Sequence, residues 1–380
     1  MKFFVFFAFF LLYNSCNKTI EVETFESKET IIFNIGFKPE FRFAGSFFDE
    51  INNEEVIYFA EPVTNKQIKF FNAKGEFLDS INLESLSKSS SHLNSLKIIS
   101  RDTIMFLNYN EIIVLNKNGR VCKRVDLKKV ISNNASNDIF EFTDSFRGNK
   151  YTNKEKMILG LSWSSNKFDN KTLSYEDFFI KSFSKPSIIR LDNYLTDSIT
   201  YKFSSQNHYK SWYKEPKIFS EGFNYRQING QLFIFSFFSN EILIFDIEKL
   251  KVIRKISINS NLTSIGIEPY NVNETEFSGE KAMVKAKSAG AITDIFYLAN
   301  KKQYYVLVRH ELDEEKILNE KERPFSIIKY DSFFNKLSEM VINDTDVDFY
   351  GYSVLETKDG FMMLNKKNTN EKMLSFSIIK

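Results

Sequence analysis

Cysteine is nearly absent: 380 residues contain two, Cys16 and Cys122. That excludes a disulfide framework. Only three histidines accompany them, His92, His208 and His310, so a zinc site of cysteines and histidines is excluded by count. No two histidines flank a glutamate at the four-residue spacing that pairs metal ligands on a helix. These shortages leave no metal and no cofactor to expect. Glycine and proline are also few, 13 and 6. The chain therefore lacks a glycine-rich phosphate loop, a glycine-flanked serine elbow and a Pro/Gly/Ser-rich linker. Neither sign of charge dominates, with 51 basic and 49 acidic residues. Nucleic acid, which calls for a basic face, is excluded as the main partner. Beyond the first residues no apolar run is long enough to cross a bilayer.

What is present begins at the N-terminus. Lys2 is followed by residues 3–12, an almost wholly apolar run, and then by Tyr13, Asn14, Ser15 and Cys16. A basic start and about ten apolar residues fit the core of a secretion signal, and are too short for a membrane span. A cysteine directly after a small residue at the end of such a core resembles the lipobox of bacterial lipoproteins. That resemblance implies a diacylglyceryl thioether on Cys16, which becomes the mature N-terminus. Tyr13 departs from the usual aliphatic at its position, and the competing reading is an ordinary cleaved signal with a coincidental cysteine. The expected division is a lipoprotein signal peptide over 1–15, a polar tether over 16–30 and a folded body over 31–380. Cys122, in the alternating run Val121-Cys122-Lys123-Arg124-Val125, reads as a small strand residue.

The body carries a recurring hairpin. Residues 68–83, 112–127, 188–201, 243–258 and 327–342 each hold a short apolar run, an Asn or Asp, a polar turn and an alternating second run. Asn72, Asn116, Asp192, Asp246 and Asp331 anchor these turns, about 44, 76, 54 and 85 residues apart, spacings that a propeller blade with insertions can hold. β-Branched and aromatic runs favour strands, Asn or Asp starts the turn, and Gly75 and Gly119 supply positive φ. Five hairpins, with residues 361–380 as a sixth unit, predict an all-β, six-bladed β-propeller as a single domain. The hairpins would form the outer strand pairs. Runs 55–60, 103–108, 156–163, 231–235, 304–309 and 360–364 would be the inner strands. Strand 31–35 would pair with 373–379 and close the ring. A β-sandwich or two smaller β domains is the alternative. Stretches 83–96 and 175–183 read as loop turns.

The last third also bears a family likeness. Residues 304–310 (YYVLVRH), 323–331 (RPFSIIKYD), 333–339 (FFNKLSE) and the ending NEKMLSFSIIK resemble a group of uncharacterised Bacteroidetes lipoproteins defined by a domain of unknown function. The resemblance implies export, a lipid anchor and a TolB-like six-bladed propeller, and no activity.

Chemistry is harder to find. Residues 343–348 alternate oxygen-bearing side chains like the start of a calcium loop. Phe349 and Leu355 then replace the glycine and the glutamate such a loop needs, so a solvated loop is the better reading. Ligand-binding candidates are polar aromatic stretches: His208, Trp212 and Tyr213 within 206–216, the pair Tyr225-Arg226, and the pair Arg309-His310. Trp and Tyr give large contact area at small entropic cost, and Arg binds carboxylates or carbonyls. The plain alternatives are an inter-blade plug for Trp212 and inter-blade ion pairing for the arginines. The expected function is a membrane-anchored cell-envelope binding or scaffolding module for a protein, peptide or glycan. It would be held through its lipid at the outer membrane or a periplasmic face. The alternative is an envelope glycan hydrolase or lyase using funnel carboxylates.

Overall fold

Strands dominate because the apolar runs are too short and too β-branched to make helices. The computed structural model describes residues 22–24, 29–37, 43–86, 93, 95–107, 111–132, 140–142, 156–163, 177, 180, 183–218, 223–271, 279–313, 323–342, 354–358, 360–365 and 372–379. Cys16, His92 and the acidic stretch 343–348 lie outside them. Six antiparallel four-stranded sheets form the blades of a β-propeller. From the axis outward, blade 1 is Ala44–Asp49, Glu54–Glu61, Gln67–Asn72 and Phe77–Asn82. Blade 2 is Ser95–Ser100, Thr103–Leu107, Glu111–Leu115 and Val121–Asp126. Blade 3 is Phe140–Phe142, Lys156–Trp163, Ile188–Asp192 and Thr200–Phe203. Blade 4 is Phe223–Ile228, Gln231–Ser236, Glu241–Asp246 and Lys251–Ser257. Blade 5 is Ala291–Leu298, Gln303–Arg309, Phe325–Tyr330 and Lys336–Ile342.

Blade 6 takes three strands from the C-terminus, Val354–Thr357, Gly360–Leu364 and Met373–Ile379, and its outermost strand, Thr30–Asn34, from the N-terminus. Thr30 pairs with Ser377 and Asn34 with Met373, so the expected closure is present. The expected outer hairpins are present too. The inner strands differ from expectation. Runs 55–60, 103–108, 156–163, 231–235, 304–309 and 360–364 are second from the axis. The innermost strands are the less apolar segments just before them in sequence.

The core is partitioned by the ring. Six buried apolar clusters lie one at each blade interface. Successive side chains of a strand point to opposite faces. Thus Ile57 and Phe59 face blade 6, whereas Val56, Tyr58 and Ala60 face blade 2. Middle strands are covered on both faces and read as unbroken apolar runs such as Ile112-Ile113-Val114-Leu115, all buried. Outer strands alternate because their edge meets solvent.

Four of the five turn anchors work as the sequence suggests, whereas the Asp192 carboxylate accepts from Arg190 two residues before it. Oδ1 of Asn72, Asn116, Asp246 and Asp331 each accepts two backbone N–H groups of its own turn, at 2.8–3.1 Å. Gly75 (φ 87°) and Gly119 (φ 71°) do more than reverse the chain. Each packs on the outer strand of the preceding blade. A Cβ on Gly75 would meet the Ile32 carbonyl oxygen at 2.5 Å, and one on Gly119 would run into the Asn82 carbonyl. The equivalent residue in blade 5 is Phe334, also left-handed (φ 67°) and stacked on Tyr304 at 4.2 Å.

The expected tether contributes one element. Val22–Thr24 adds a fifth strand to blade 5, parallel to Lys336–Ile342, with Val22 opposite Glu339. No helix among the described residues is long and apolar enough to cross a membrane.

Candidate functional site

Charged groups from three blades meet at the axis. Arg226, on the innermost strand of blade 4, is buried. Its Nε and Nη2 donate to Oδ1 and Oδ2 of Asp294 at 2.6 and 2.5 Å, a bidentate fork. Its Nη1 donates to Oε2 of Glu356 at 2.7 Å. Asp294 belongs to the innermost strand of blade 5 and Glu356 to that of blade 6. The pairing register slips between Ile292 and Asp294, and the resulting bulge re-aims the strand beside Asp294. The guanidinium also lies over the Phe296 ring, 4.0 Å from its centroid, and Phe296 stacks on Phe361 of blade 6 at 4.8 Å. Burial alone would favour loss of the Arg226 proton, but Asp294 and Glu356 outweigh it and hold the charge. One cation and two carboxylates leave the centre formally negative by one.

The cluster touches an opening. Ser46, on the innermost strand of blade 1, donates through Oγ to the Glu356 carbonyl at 2.5 Å. Beside it lies a cavity of about 520 Å³ lined by Ser46, Phe47, Phe48, Glu55, Glu356, Thr357 and Lys358. The Lys358 N–H donates to Glu55 Oε1 at 2.8 Å, and its ammonium stands 5.7 Å from the half-exposed Phe48 ring. The wall thus offers an apolar ring, a cation, two carboxylates and two hydroxyls, within the size range of ligand pockets. Arg226 fixes this wall at its inner end through Glu356. Among the described residues no group of histidines, cysteines and carboxylates is arranged to hold a metal ion.

Of the candidates from the sequence, only Arg226 reaches this centre. Tyr225, the next residue along the strand, points the other way. It is buried at the interface of blades 3 and 4, where its hydroxyl lies 3.4 Å from the Ile158 carbonyl. Trp212 packs on the same cluster. Its Nε1 donates to the Glu241 carbonyl at 3.2 Å, and the Tyr213 hydroxyl donates to the Phe238 carbonyl at 2.7 Å. His208 is buried one turn away, 2.5 Å from Ser187 Oγ through Nδ1, with its ring against Tyr209 and Trp212. Burial pushes the His208 pKa down to about 3, so the ring is neutral. His208, Trp212 and Tyr213 thus form a packed corner between blades.

Arg309 and His310 sit elsewhere on blade 5. Arg309 donates to the Ala286 and Ala289 carbonyls at the end of helix Gly279–Ser288. Arg323 joins it there, donating to the carbonyls of Ser288 and Ala289, a cationic cap for the carbonyl end of the helix. His310 Nε2 meets Ser326 Oγ at 2.6 Å, and burial lowers its pKa. Sequence reasoning missed Asp294, Glu356, Ser46 and Phe48. The one local signal for Asp294 is an acid inside an apolar run, Ala291-Ile292-Thr293-Asp294-Ile295-Phe296.

No protein-family model and no curated protein matches the chain. Among solved structures it is similar to a member of the DUF4221 family from Bacteroides vulgatus, with a TM-score of 0.62 and 14% identity, covering 93% of this chain and 97% of that one. That likeness shows a shared fold. Weaker overlaps are with a protein of unknown function from Bacteroides caccae (TM-score 0.33, 8% identity, 76% and 78% covered) and the Pan2 WD40 domain of Neurospora crassa (TM-score 0.40, 8% identity, 94% and 98% covered).

Proposed function

We propose that this protein is a cell-envelope lipoprotein, anchored through acyl chains on Cys16, whose propeller is a binding or scaffolding module for a protein, peptide or glycan. The observation that carries the binding half is the Arg226 clamp. A buried guanidinium locks strands of three blades and holds Glu356, which lines an open, mixed-polarity cavity. A wall held this rigidly loses little freedom when a ligand enters. Phe48 offers an apolar anchor, with Glu55, Thr357 and Lys358 as polar partners around it. The catalytic alternative needs two carboxylates with different tasks, one of them able to give a proton. Of the two carboxylates on the wall, Glu356 is held as an ion partner of Arg226 and Glu55 accepts from the Lys358 N–H, which supports binding over catalysis.

The test places a photo-cross-linking residue at Phe48 in cells and, as control, at Ile253 on the outer strand of blade 4. We expect a discrete adduct from position 48 that is absent at 253. Adducts of equal yield at both sites, or none at 48, would refute the assignment of the mouth. The anchoring half is tested by fractionation of Cys16→Ala. Membrane association unchanged from wild type would refute it.

A further inference from the structure

The added strand on blade 5 says where an anchored chain would leave the ring. Val22–Thr24 runs parallel to Lys336–Ile342, so the chain enters Val22 from the end of that strand carrying the 331–335 turn. Cys16 is six residues before Val22, a reach of at most about 20 Å. Going back from Glu339, the partner of Val22, the strand needs only about 10 Å to reach its start at Lys336. Acyl chains on Cys16 would therefore hold the edge of blade 5, and this end of it, close to the bilayer.

Among the described residues, that end carries exposed apolar side chains. Phe333 is 76% exposed at the tip of the turn. Its exposure is built in. Asp331 Oδ1 accepts from the Phe333 and Asn335 N–H groups, and the left-handed Phe334 turns inward onto Tyr304, which leaves Phe333 outside. Leu337, the extra residue where the pairing register slips, is 44% exposed. Leu262 of the preceding loop is 39% exposed. That loop is tied to the same strand, since Asn261 N–H donates to Glu339 at 2.8 Å and Lys336 to the Asn259 carbonyl at 3.1 Å. Lys301 and Lys302, both exposed, occupy the inner turn of blade 5 at the same end. An aromatic and two aliphatics beside basic side chains match the chemistry of a phospholipid headgroup boundary.

We propose that the rim of blade 5 formed by Phe333, Leu337 and Leu262 rests in the headgroup region of the membrane that holds the acyl chains. This rests on the lipoprotein reading above. The propeller then stands on its edge. The channel runs along the membrane plane, and its mouth opens sideways into the envelope space.

The test uses the full acylated chain carrying Cys122→Ser, purified from envelopes and placed in phosphatidylethanolamine–phosphatidylglycerol vesicles. A nitroxide is attached at Phe333→Cys, at Leu262→Cys or at Lys117→Cys, the last in the equivalent turn of blade 2 across the ring. We expect labels at 333 and 262 to be at least about threefold less accessible to an aqueous nickel reagent than the label at 117, as for side chains buried in the boundary layer. Equal aqueous access at all three positions, in protein that floats with the vesicles, overturns the rim and leaves the anchor standing. Protein that does not float, with Cys16 unmodified by mass spectrometry, overturns both.

Discussion

Replacing Arg226 by methionine tests whether charge holds the axis together. The side-chain stem and its contact with Phe296 are largely kept, while three charge-assisted hydrogen bonds to Asp294 and Glu356 are lost. Removing one partner of a buried ion pair costs about 3–5 kcal/mol, because the other charge is left without compensation. The carboxylates here are 21% and 31% exposed, so water recovers part of that. Their mutual repulsion, no longer relieved by the cation, works the other way. The net expectation is a loss of about 2–3 kcal/mol, read as a lower urea midpoint. Arg226→Lys keeps the charge but not the fork, and should fall about halfway. The decisive variant combines Arg226→Met with Asp294→Asn and Glu356→Gln. With no charge left unpaired, it should lie within about 1 kcal/mol of wild type. If it is no more stable than Arg226→Met alone, or if Arg226→Met is as stable as wild type, electrostatics does not hold the centre.

Three further outcomes follow from other parts of the ring. Phe33 is fully buried in the closing strand, with its ring 5.2–5.7 Å from those of Phe59, Phe71 and Phe376. Phe33→Ala should cost about 3–5 kcal/mol in urea denaturation and speed proteolysis of the N-terminal strand, and a smaller loss would mean that closure is not cooperative with the fold. Gly119→Ala and Gly230→Ala impose similar backbone strain, at φ 71° and 76°, of about 1–2 kcal/mol. Only Gly119 has a neighbouring carbonyl in the way, so its variant should melt clearly lower, and equal melting temperatures would contradict the inter-blade contact. His208 has a folded pKa of about 3 against an ordinary 6.5, so the unfolded chain takes up the proton first as pH falls. Its stability contribution is complete above about pH 6.5 and is lost on the way down toward 3, by about 2 kcal/mol between pH 7 and 5. His208→Gln should flatten that part of the urea-midpoint profile, and an unchanged slope would mean that another group titrates.

The outer hairpins were legible because their causes are local. Asn116 bonds the N–H groups of its own turn, Gly119 supplies the positive φ, and residues 112–115 are apolar throughout because both faces of that strand are covered. Closure by the N-terminal strand is long-range, with Thr30 opposite Ser377, and was legible only as two apolar β-branched runs at the two ends of the body, Ile31-Ile32-Phe33 and residues 373–379. The innermost strands were not. Segments such as Ala44–Asp49 and Phe223–Ile228 face the channel along part of their length, mix polar with apolar residues and lack the runs that mark a buried strand. The centre was least legible. Arg226 and Glu356 are 130 residues apart and meet only because the ring brings inner strands together. The 206–216 stretch carries aromatic content that reads the same whether it plugs a gap or meets a ligand. The carbonyls of Glu241 and Phe238, which receive Trp212 and Tyr213, belong to another hairpin.

The distribution of polar contacts separates what holds this ring from what it offers outward. Apolar clusters already fill all six blade interfaces, and buried groups such as Glu339 and Arg190 make inter-blade links near the perimeter. Glu339 shows the pattern: burial pushes its carboxyl up, but hydrogen bonds from Asn261, Lys336 and Ser260 outweigh that and keep it below the usual range. Arg190 of blade 3 likewise reaches the Ile247 carbonyl and Glu248 of blade 4. Each of these links joins two neighbouring blades. Arg226 joins three, and one of its partners, Glu356, also lines open space. Under the binding reading proposed above, the Arg226 site is where a stability requirement and a binding surface would share the same side chains. A substitution at Glu356 should disturb both, whereas one at Phe48 should disturb binding alone.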